Sequence, residues 1–300
     1  MNLPDFFQFI KCPDCGSVDL YNNIDVRKIQ CCKCSWIGSY SKDGKFLDLM
    51  PSKPKDVKSS VKQLDVYKYY SNQFDKNIES NVDSGWSISG PGASNRVRFF
   101  HDKLNEVVQK NLTNINQSNN KKMVDLSAGS GDYTFKNITN FECVFHCEID
   151  YNGLINSKKR ADKMDIGNII FVHCDYLQMP FKSKSFDAVL LIDSLEYYGY
   201  ENDHNVVNQS YDILKEGGLS ILDFHRKRPF KNNNLLYEYN NNDIRLACKS
   251  NSEIKITAFS KAIIGRISSI SFVNKYIYSM LNWMFFLPPV RSIKVVRRIS

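Results

Sequence analysis

The chain is poor in the features that mark non-globular proteins. Fourteen Gly and nine Pro in 300 residues are too few for a collagen-like or low-complexity chain. No apolar run reaches the ~20 residues that a membrane-spanning helix needs. The most apolar stretch, IYSMLNWMFFLPPV, is interrupted by Asn282, Pro288 and Pro289. The opening residues, MNLPDFFQFIKCPDC, lack the basic leader, apolar run and small-residue cleavage site of a signal peptide, so a cytoplasmic location is expected. What remains is ordinary for a globular protein: 42% apolar, 13% aromatic and 24% charged residues, enough for a normal core in one large or two modest domains.

Charge is unevenly placed. The whole chain carries +8, but residues 226–300 hold 14 Lys and Arg against three acids, a local +11, which leaves −3 on the first 225 residues. A basic end on a near-neutral body suits an anionic partner such as a phospholipid surface, a nucleic acid or a phosphorylated substrate, or else a solvated basic face.

Of nine cysteines, five fall between Cys12 and Cys34. Cys12 and Cys15 form one C-x-x-C pair, Cys31 and Cys34 another, with 15 residues between them. Thiolates three positions apart on a tight turn can reach one tetrahedral ion, and Gly16 frees the first turn. The intervening VDLYNNIDVRKIQ reads as a hairpin. This is the spacing of a zinc ribbon, and four thiolates suit Zn²⁺. Cys32 offers an alternative to Cys31, although the two-residue gap favours Cys31. With no open position, His or acid nearby, the site reads as structural. The remaining cysteines (Cys143, Cys147, Cys174, Cys248) sit among apolar residues and read as small buried hydrophobes.

From residue 122 the chain alternates between strands and helices. KKMVDLS, ECVFHCEI, NIIFVHC, SFDAVLLID and LSILDF are apolar runs without alternation, as expected of a parallel sheet covered on both faces. Helical stretches lie between them. One, DHNVVNQSYDILKEGG, is expected to close on its glycine pair. Ahead of the first strand, Val97, Phe100, Leu104 and Leu112 recur at helical spacing, as do Val66, Tyr70 and Phe74. The expected fold class is α/β, a doubly wound, mostly parallel sheet, with its ligand beyond the carboxyl ends of the strands. There the turn of residues 125–134 carries Asp125, Gly129 and Gly131, and Glu148 ends the next strand. A carboxylate at Glu148 can accept both hydroxyls of a ribose. Asp125 would repel a pyrophosphate but suits the ammonium of an amino-acid-bearing nucleoside.

The ordered runs VDLSAGSGDYT, CEIDYNGLINSKKRA, HCDYLQMPFKSKSFDAVLLIDSLEYYG and DILKEGGLSILDF resemble the class I S-adenosylmethionine-dependent methyltransferases, within them the ubiquinone/menaquinone-type branch. The resemblance covers residues 62–225. It implies that Asp125 and the backbone of Ser127, Ala128, Gly129 and Gly131 hold the methionine part of S-adenosyl-L-methionine. Glu148 would take the ribose, Ile149 would pack on adenine, Asp175 and the Tyr176 amide would meet its edge, and Asp193 would complete the set. The family's first loop glycine is Ser127 here, a residue still small enough to admit the cofactor. A zinc ribbon ahead of such a core also resembles ribosomal-RNA guanine methyltransferases and a set of bacterial methyltransferases with short metal-binding N-termini.

Methyl transfer needs an aligned nucleophile and, for a hydroxyl or an acidic carbon, a base. His225 and Glu196, at strand ends, are the candidates. His225 reads equally as the start of the basic run Arg226-Lys227-Arg228. His146 and His173 fall within strands and read as buried. The Asn/Asp-Pro-Pro-aromatic signature of amine methylation is absent, which leaves oxygen or carbon of a small-molecule, lipid or glycan acceptor. RNA methylation, favoured by the ribbon and basic tail, and a non-catalytic scaffold are the alternatives. In the tail, DIRLACKSNSEIKITAF reads as a hairpin finishing the sheet. Residues 263–284 have helical spacing and basic flanks that suit an anionic membrane surface or packing on the core. The organisation expected is a ribbon at 1–50, a linker at 51–61, the cofactor core at 62–228 and a basic extension at 229–300.

Overall fold

The structure, a computed structural model, describes residues 3–53, 95–113, 115, 120–195, 200–225, 252–259 and 291–298. The core sheet is built from β5 (Lys122–Leu126), β6 (Cys143–Glu148), β7 (Ile169–His173), β8 (Phe186–Leu191) and β9 (Leu214–His225). These are the five strands expected from the apolar runs. They lie side by side in the order β7-β6-β5-β8-β9, all parallel, and the chain reverses direction across the sheet between β5 and β8. Most of their residues are fully buried because both faces are covered.

One face packs against α1 (Asn95–Leu112), α2 (Asp132–Asn137) and α3 (Tyr151–Lys163). Leu104, Val108 and Leu112 on α1 and Leu154 and Ala161 on α3 meet Met123, Val144 and Ile169 there. The other face receives Val206, Val207 and Tyr211 of α4 (Tyr200–Asp212). Between β7 and β8 the chain makes only a short 3₁₀ turn, Tyr176–Gln178. The N-terminal residues cover the sheet at that place. Phe9 packs on Phe145 and Phe186 with ring centroids 5.4 and 5.9 Å apart. Ile10, fully buried, bridges to Phe181. Each such side chain contributes about 1.5–3 kcal/mol by leaving water.

The ribbon strands are β1 (Leu20–Asn23), β2 (Lys28–Cys31), β3 (Ile37–Tyr40) and β4 (Phe46–Asp48). They form an antiparallel meander whose last strand pairs in parallel with β7, Phe46 opposite Phe171 and Asp48 opposite His173. Ribbon and core therefore share one eleven-stranded sheet. Residues 54–61 of the expected linker, and the helical spacing at Val66, Tyr70 and Phe74, lie outside the described residues.

One expectation is corrected. The glycine pair does not close a helix: α4 ends at Asp212, and Gly217 and Gly218 lie inside β9. Phe186 faces Leu214 and Ala188 faces Leu219, so residues 215–218 bulge opposite Asp187. Gly217 has φ +76°, and a Cβ at Gly218 would lie 2.9 Å from the Lys215 carbonyl, so both positions suit glycine in a bulge. The first arm of the expected terminal hairpin, residues 243–251, lies outside the described residues. β10 (Ser252–Phe259) pairs with β11 (Arg291–Arg298), far along the chain, and β11 runs antiparallel between β9 and β10. Alternation marked β10 as a strand but could not name its partner. In β11, Val295 and Val296 bury on opposite faces among basic neighbours that mask the strand. Residues 263–284 lie outside the described residues.

Arg298 supplies the end that α4 lacks. Its guanidinium donates to the carbonyls of Tyr211, Asp212 and Leu214 at 3.2, 3.0 and 2.8 Å and lies over the Tyr211 ring. A cation at a helix C-terminus satisfies orphan carbonyls and opposes the helix dipole. Arg298→Ala is expected to lower stability by about 2 kcal/mol, read from the midpoint of urea unfolding at unchanged slope.

Candidate active site

Four neighbouring strands end on one edge of the sheet, and each is followed by polar residues. After β5 come the loop Ser127–Gly131 and the start of α2, Glu148 closes β6, Asp175 follows β7 and Asp193 follows β8. Because β7, β6, β5 and β8 are adjacent and parallel, topology alone gathers these groups along the edge where the strand order reverses.

The loop is held in a conformation that its sequence only partly favours. Gly129 and Gly131 have φ of +54° and +82°, as glycine permits. Ser127 also sits in the left-handed region, at φ +61°, with its hydroxyl donating to the Leu126 carbonyl. An L-residue there costs roughly 1–2 kcal/mol. Ser127→Gly is expected to relieve this, for a net gain of about 0.5–1 kcal/mol after the added chain entropy of glycine. Thermal unfolding checks it. At Gly131 a Cβ would run into the Phe135 ring, so this turn has no room for a side chain.

Glu148 clamps the loop. One carboxylate oxygen accepts from the Gly129 amide at 2.9 Å; the other accepts from the amides of Ile149 and Asp150 at 2.8 and 3.1 Å. Burial raises its pKa, against the pull of those amides. Behind the loop, α3 contributes Ser157, whose hydroxyl donates to the Gly129 carbonyl at 2.9 Å, and Arg160, which donates to the Ser130 carbonyl at 3.0 Å. Asp150 caps α3 by accepting from the amides of Asn152 and Gly153.

Asp125 is buried at the end of β5, where burial pushes its pKa up to about 7. The Thr134 hydroxyl, 2.6 Å away, opposes that rise and the Glu148 charge adds to it. Thr134 also lies 3.0 Å from Nδ1 of His146, whose Nε2 is 3.3 Å from the Gly129 carbonyl. Burial brings the His146 pKa down to about 3, so the ring is neutral.

The other candidates have these surroundings. The Ala128 amide donates to the Cys147 carbonyl at 2.8 Å, fixing the loop against β6. The Ile149 carbonyl meets His173 Nε2 at 3.1 Å, and His173 Nδ1 meets Asp48 of the ribbon at 3.0 Å. Asp175, buried, accepts from the Leu177 amide at 2.8 Å, and the Tyr176 hydroxyl donates to the Ser194 carbonyl at 3.3 Å. Asp193 has φ +58° at the turn after β8. Glu196 lies outside the described residues; His225 closes β9 opposite Arg291, with its side chain likewise undescribed.

A methyltransferase-domain family model matches residues 124–222, β5 to the middle of β9. Over these residues the chain is similar to class I, S-adenosylmethionine-dependent methyltransferases. The ubiquinone/menaquinone biosynthesis C-methyltransferase of Wigglesworthia glossinidia brevipalpis is 27% identical over 146 residues, 44% of this chain and 58% of that protein. The enzyme of the same name from Rhizobium etli is 31% identical over 111 residues, 34% of this chain and 41% of that protein. The chain thus spans about half the length of the curated relatives it matches. Among solved structures, the magnesium protoporphyrin IX methyltransferase of Synechocystis with bound SAM superposes with a TM-score of 0.54 at 16% identity, over 82% of this chain and all of that one. At that identity the likeness speaks to the fold.

Within the methyltransferase domain, sequence reasoning named the acids and the loop but missed what holds them: Thr134, His146, Ser157 and Arg160. A histidine in the middle of an apolar strand was the one available signal, and it read simply as burial.

The second cluster is in the ribbon. The sulfurs of Cys12, Cys15, Cys31 and Cys34 lie within 4.8 Å of one another. Cys12 and Cys34 are 3.6 Å apart, Cys15 and Cys31 3.5 Å. Four sulfurs about 2.3 Å from one tetrahedral Zn²⁺ would stand about 3.8 Å apart, so the donor set fits such an ion. Cys32 is exposed and outside the cluster, which separates it from Cys31. Cys143, Cys147 and Cys174 are buried, as small hydrophobes; Cys248 is outside the described residues. No helix among the described residues is long and apolar enough to cross a membrane.

Proposed function

We propose that this protein is a cytoplasmic S-adenosylmethionine-dependent methyltransferase. It moves a methyl group to an oxygen or carbon of a small-molecule, lipid or glycan acceptor. The observation that carries the reading is the single sheet edge on which a glycine loop and the acids Asp125, Glu148, Asp175 and Asp193 follow four adjacent strands.

Bound S-adenosylmethionine supplies an electrophilic methyl on a sulfonium. The chain's own residues bind and orient. Asp125, ionised, pairs with the ammonium of the methionine part, and the open backbone of 127–131 lets it approach. Glu148 presents carboxylate lone pairs to the ribose hydroxyls while its amide contacts hold it still. Ile149, Asp175 and the Tyr176 amide line the adenine end. His225, then Glu196, would take a proton from the acceptor if it carries one. The four ribbon thiolates would hold a structural Zn²⁺ that fixes β1–β4 against the core.

Isotopic methyl transfer from labelled cofactor into extract separated into lipid, small-metabolite, RNA and protein fractions tests this. Label in the lipid or small-metabolite fraction supports the reading. Label confined to RNA would replace it with the RNA reading that the +11 tail favours. No incorporation and no cofactor binding would leave a scaffold.

A further inference from the structure

Asp125, Thr134, His146 and the Gly129 carbonyl form a buried line of hydrogen-bonding groups from the strand end back to the cofactor loop. The successive separations are 2.6, 3.0 and 3.3 Å. Each link needs a donor and an acceptor, and the proton count decides which is which. Gly129 O can only accept, so the imidazole beside it must donate from Nε2. A neutral ring then accepts at Nδ1. Thr134 must donate to Nδ1, and its oxygen then accepts from Asp125, which must be protonated. Every link is satisfied in that one direction.

If Asp125 ionises, the direction fails. A carboxylate only accepts, so Thr134 turns its hydrogen toward Asp125 and draws a donor from Nδ1. Nε2 is then bare, its lone pair against the Gly129 carbonyl oxygen.

We propose that His146 is a positioning residue whose tautomer is set by the proton on Asp125, so that cofactor binding at Asp125 reverses the chain and is felt at Gly129. This rests on the reading of Asp125 as the partner of the cofactor ammonium. The protons balance. The Asp125 proton passes to the Thr134 oxygen and the Thr134 proton to Nδ1. The Nε2 proton leaves to solvent, one proton released in all.

The surroundings fit this behaviour. Around Asp125 stand Thr134 of α2 and, from β6, His146, Cys147 and Glu148. Around His146 stand the rings of Phe135 and Phe171, Gly129, and the Arg160 charge from α3, itself paired with Asp132. Burial and the Arg160 charge keep His146 from holding two protons, which would otherwise let it donate at both ends. Reversal does not orphan Gly129, because Ser157 still donates to its carbonyl. The Gly129 amide in turn holds Glu148. A shift of this peptide would therefore couple the acid at the amino-acid end of the cofactor to the acid at the ribose end.

The test is ¹⁵N NMR of the full chain labelled at histidine, with the His146 signals assigned by their loss in His146→Gln. The ligand-free protein should show the Nε2–H tautomer near about pH 5 and Nδ1–H near about pH 9. Saturation with S-adenosylhomocysteine near about pH 6 should give Nδ1–H. Thr134→Val, which removes the middle link at nearly constant volume, should abolish both responses. One unchanging tautomer across the pH range in the wild type overturns the proposal, as does a response that survives Thr134→Val. A pH response without any response to saturating S-adenosylhomocysteine overturns the cofactor coupling. Absence of binding altogether, with the pH response intact, instead strikes the reading of the site.

Discussion

Asp125→Asn is expected to weaken S-adenosylhomocysteine binding by roughly 100- to 1,000-fold near neutral pH. Truncating one partner of a buried, hydrogen-bonded charge pair costs about 2–5 kcal/mol, and Asn keeps the shape while removing the charge. The same carboxyl gives the wild type a pH signature. With its pKa near 7 in the free protein, Asp125 must lose a proton before it can meet an ammonium. Affinity should therefore rise about tenfold per pH unit up to that value and level off above it. In Asp125→Asn the profile should be flat. Calorimetric titration across the range measures both effects.

Stability runs the other way. A carboxyl whose folded pKa lies above its unfolded value near 4 stabilises the fold while protonated. That contribution is complete below about pH 4 and is lost as the pH climbs toward about 7, a span on the order of 4 kcal/mol. Denaturant unfolding of the ligand-free protein should show this fall, and Asp125→Asn should remove it. A profile that rose instead would mean that Asp125 is ionised and paired in the free protein.

Loss of any of the four ribbon thiolates is expected to cost more than 3 kcal/mol, because the free energy of structural zinc binding is free energy of folding, about 10 kcal/mol or more in isolated fingers. Cys31→Ser should release the metal and lower the unfolding midpoint, whereas Cys32→Ser, exposed and outside the cluster, should leave both unchanged. The effect should reach the cofactor edge. β4 pairs with β7, and Asp48 holds His173 against the Ile149 carbonyl. Metal content by atomic emission, with unfolding on the same samples, checks the pair of variants. Equal loss in both would mean that the ligand set is wrong. Deleting residues 1–50 is not a clean alternative, since it would strip Phe9 and Ile10 from Phe145, Phe181 and Phe186.

The parallel core was legible because buried parallel strands leave an unmistakable trace: five apolar runs without alternation, each followed by a turn. The turn at 127–131 was legible because glycines at 129 and 131 and acids at 125 and 148 fall at strand ends. Strand pairing was harder to read. Nothing in FLD at residues 46–48 says that it joins β7, and the arginines of β11 conceal a strand that is apolar only at Ile293, Val295 and Val296. The glycine pair misled because glycine serves helix ends and bulges alike, and the carbonyls at this place are met by Arg297 and Arg298, some 80 residues away. The buried relay was invisible for a similar reason. Thr134 and His146 acquire their roles only when α2 folds back on β6.

We propose that one edge of the sheet, at Asp125, the 127–131 loop and Glu148, receives an adenosyl cofactor. Calorimetric titration of the full chain with S-adenosylhomocysteine tests it most directly. Saturable binding to one site per chain, displaced by S-adenosylmethionine, is expected. Heats that stay at the dilution level with both compounds, on protein whose folding is verified, would contradict it.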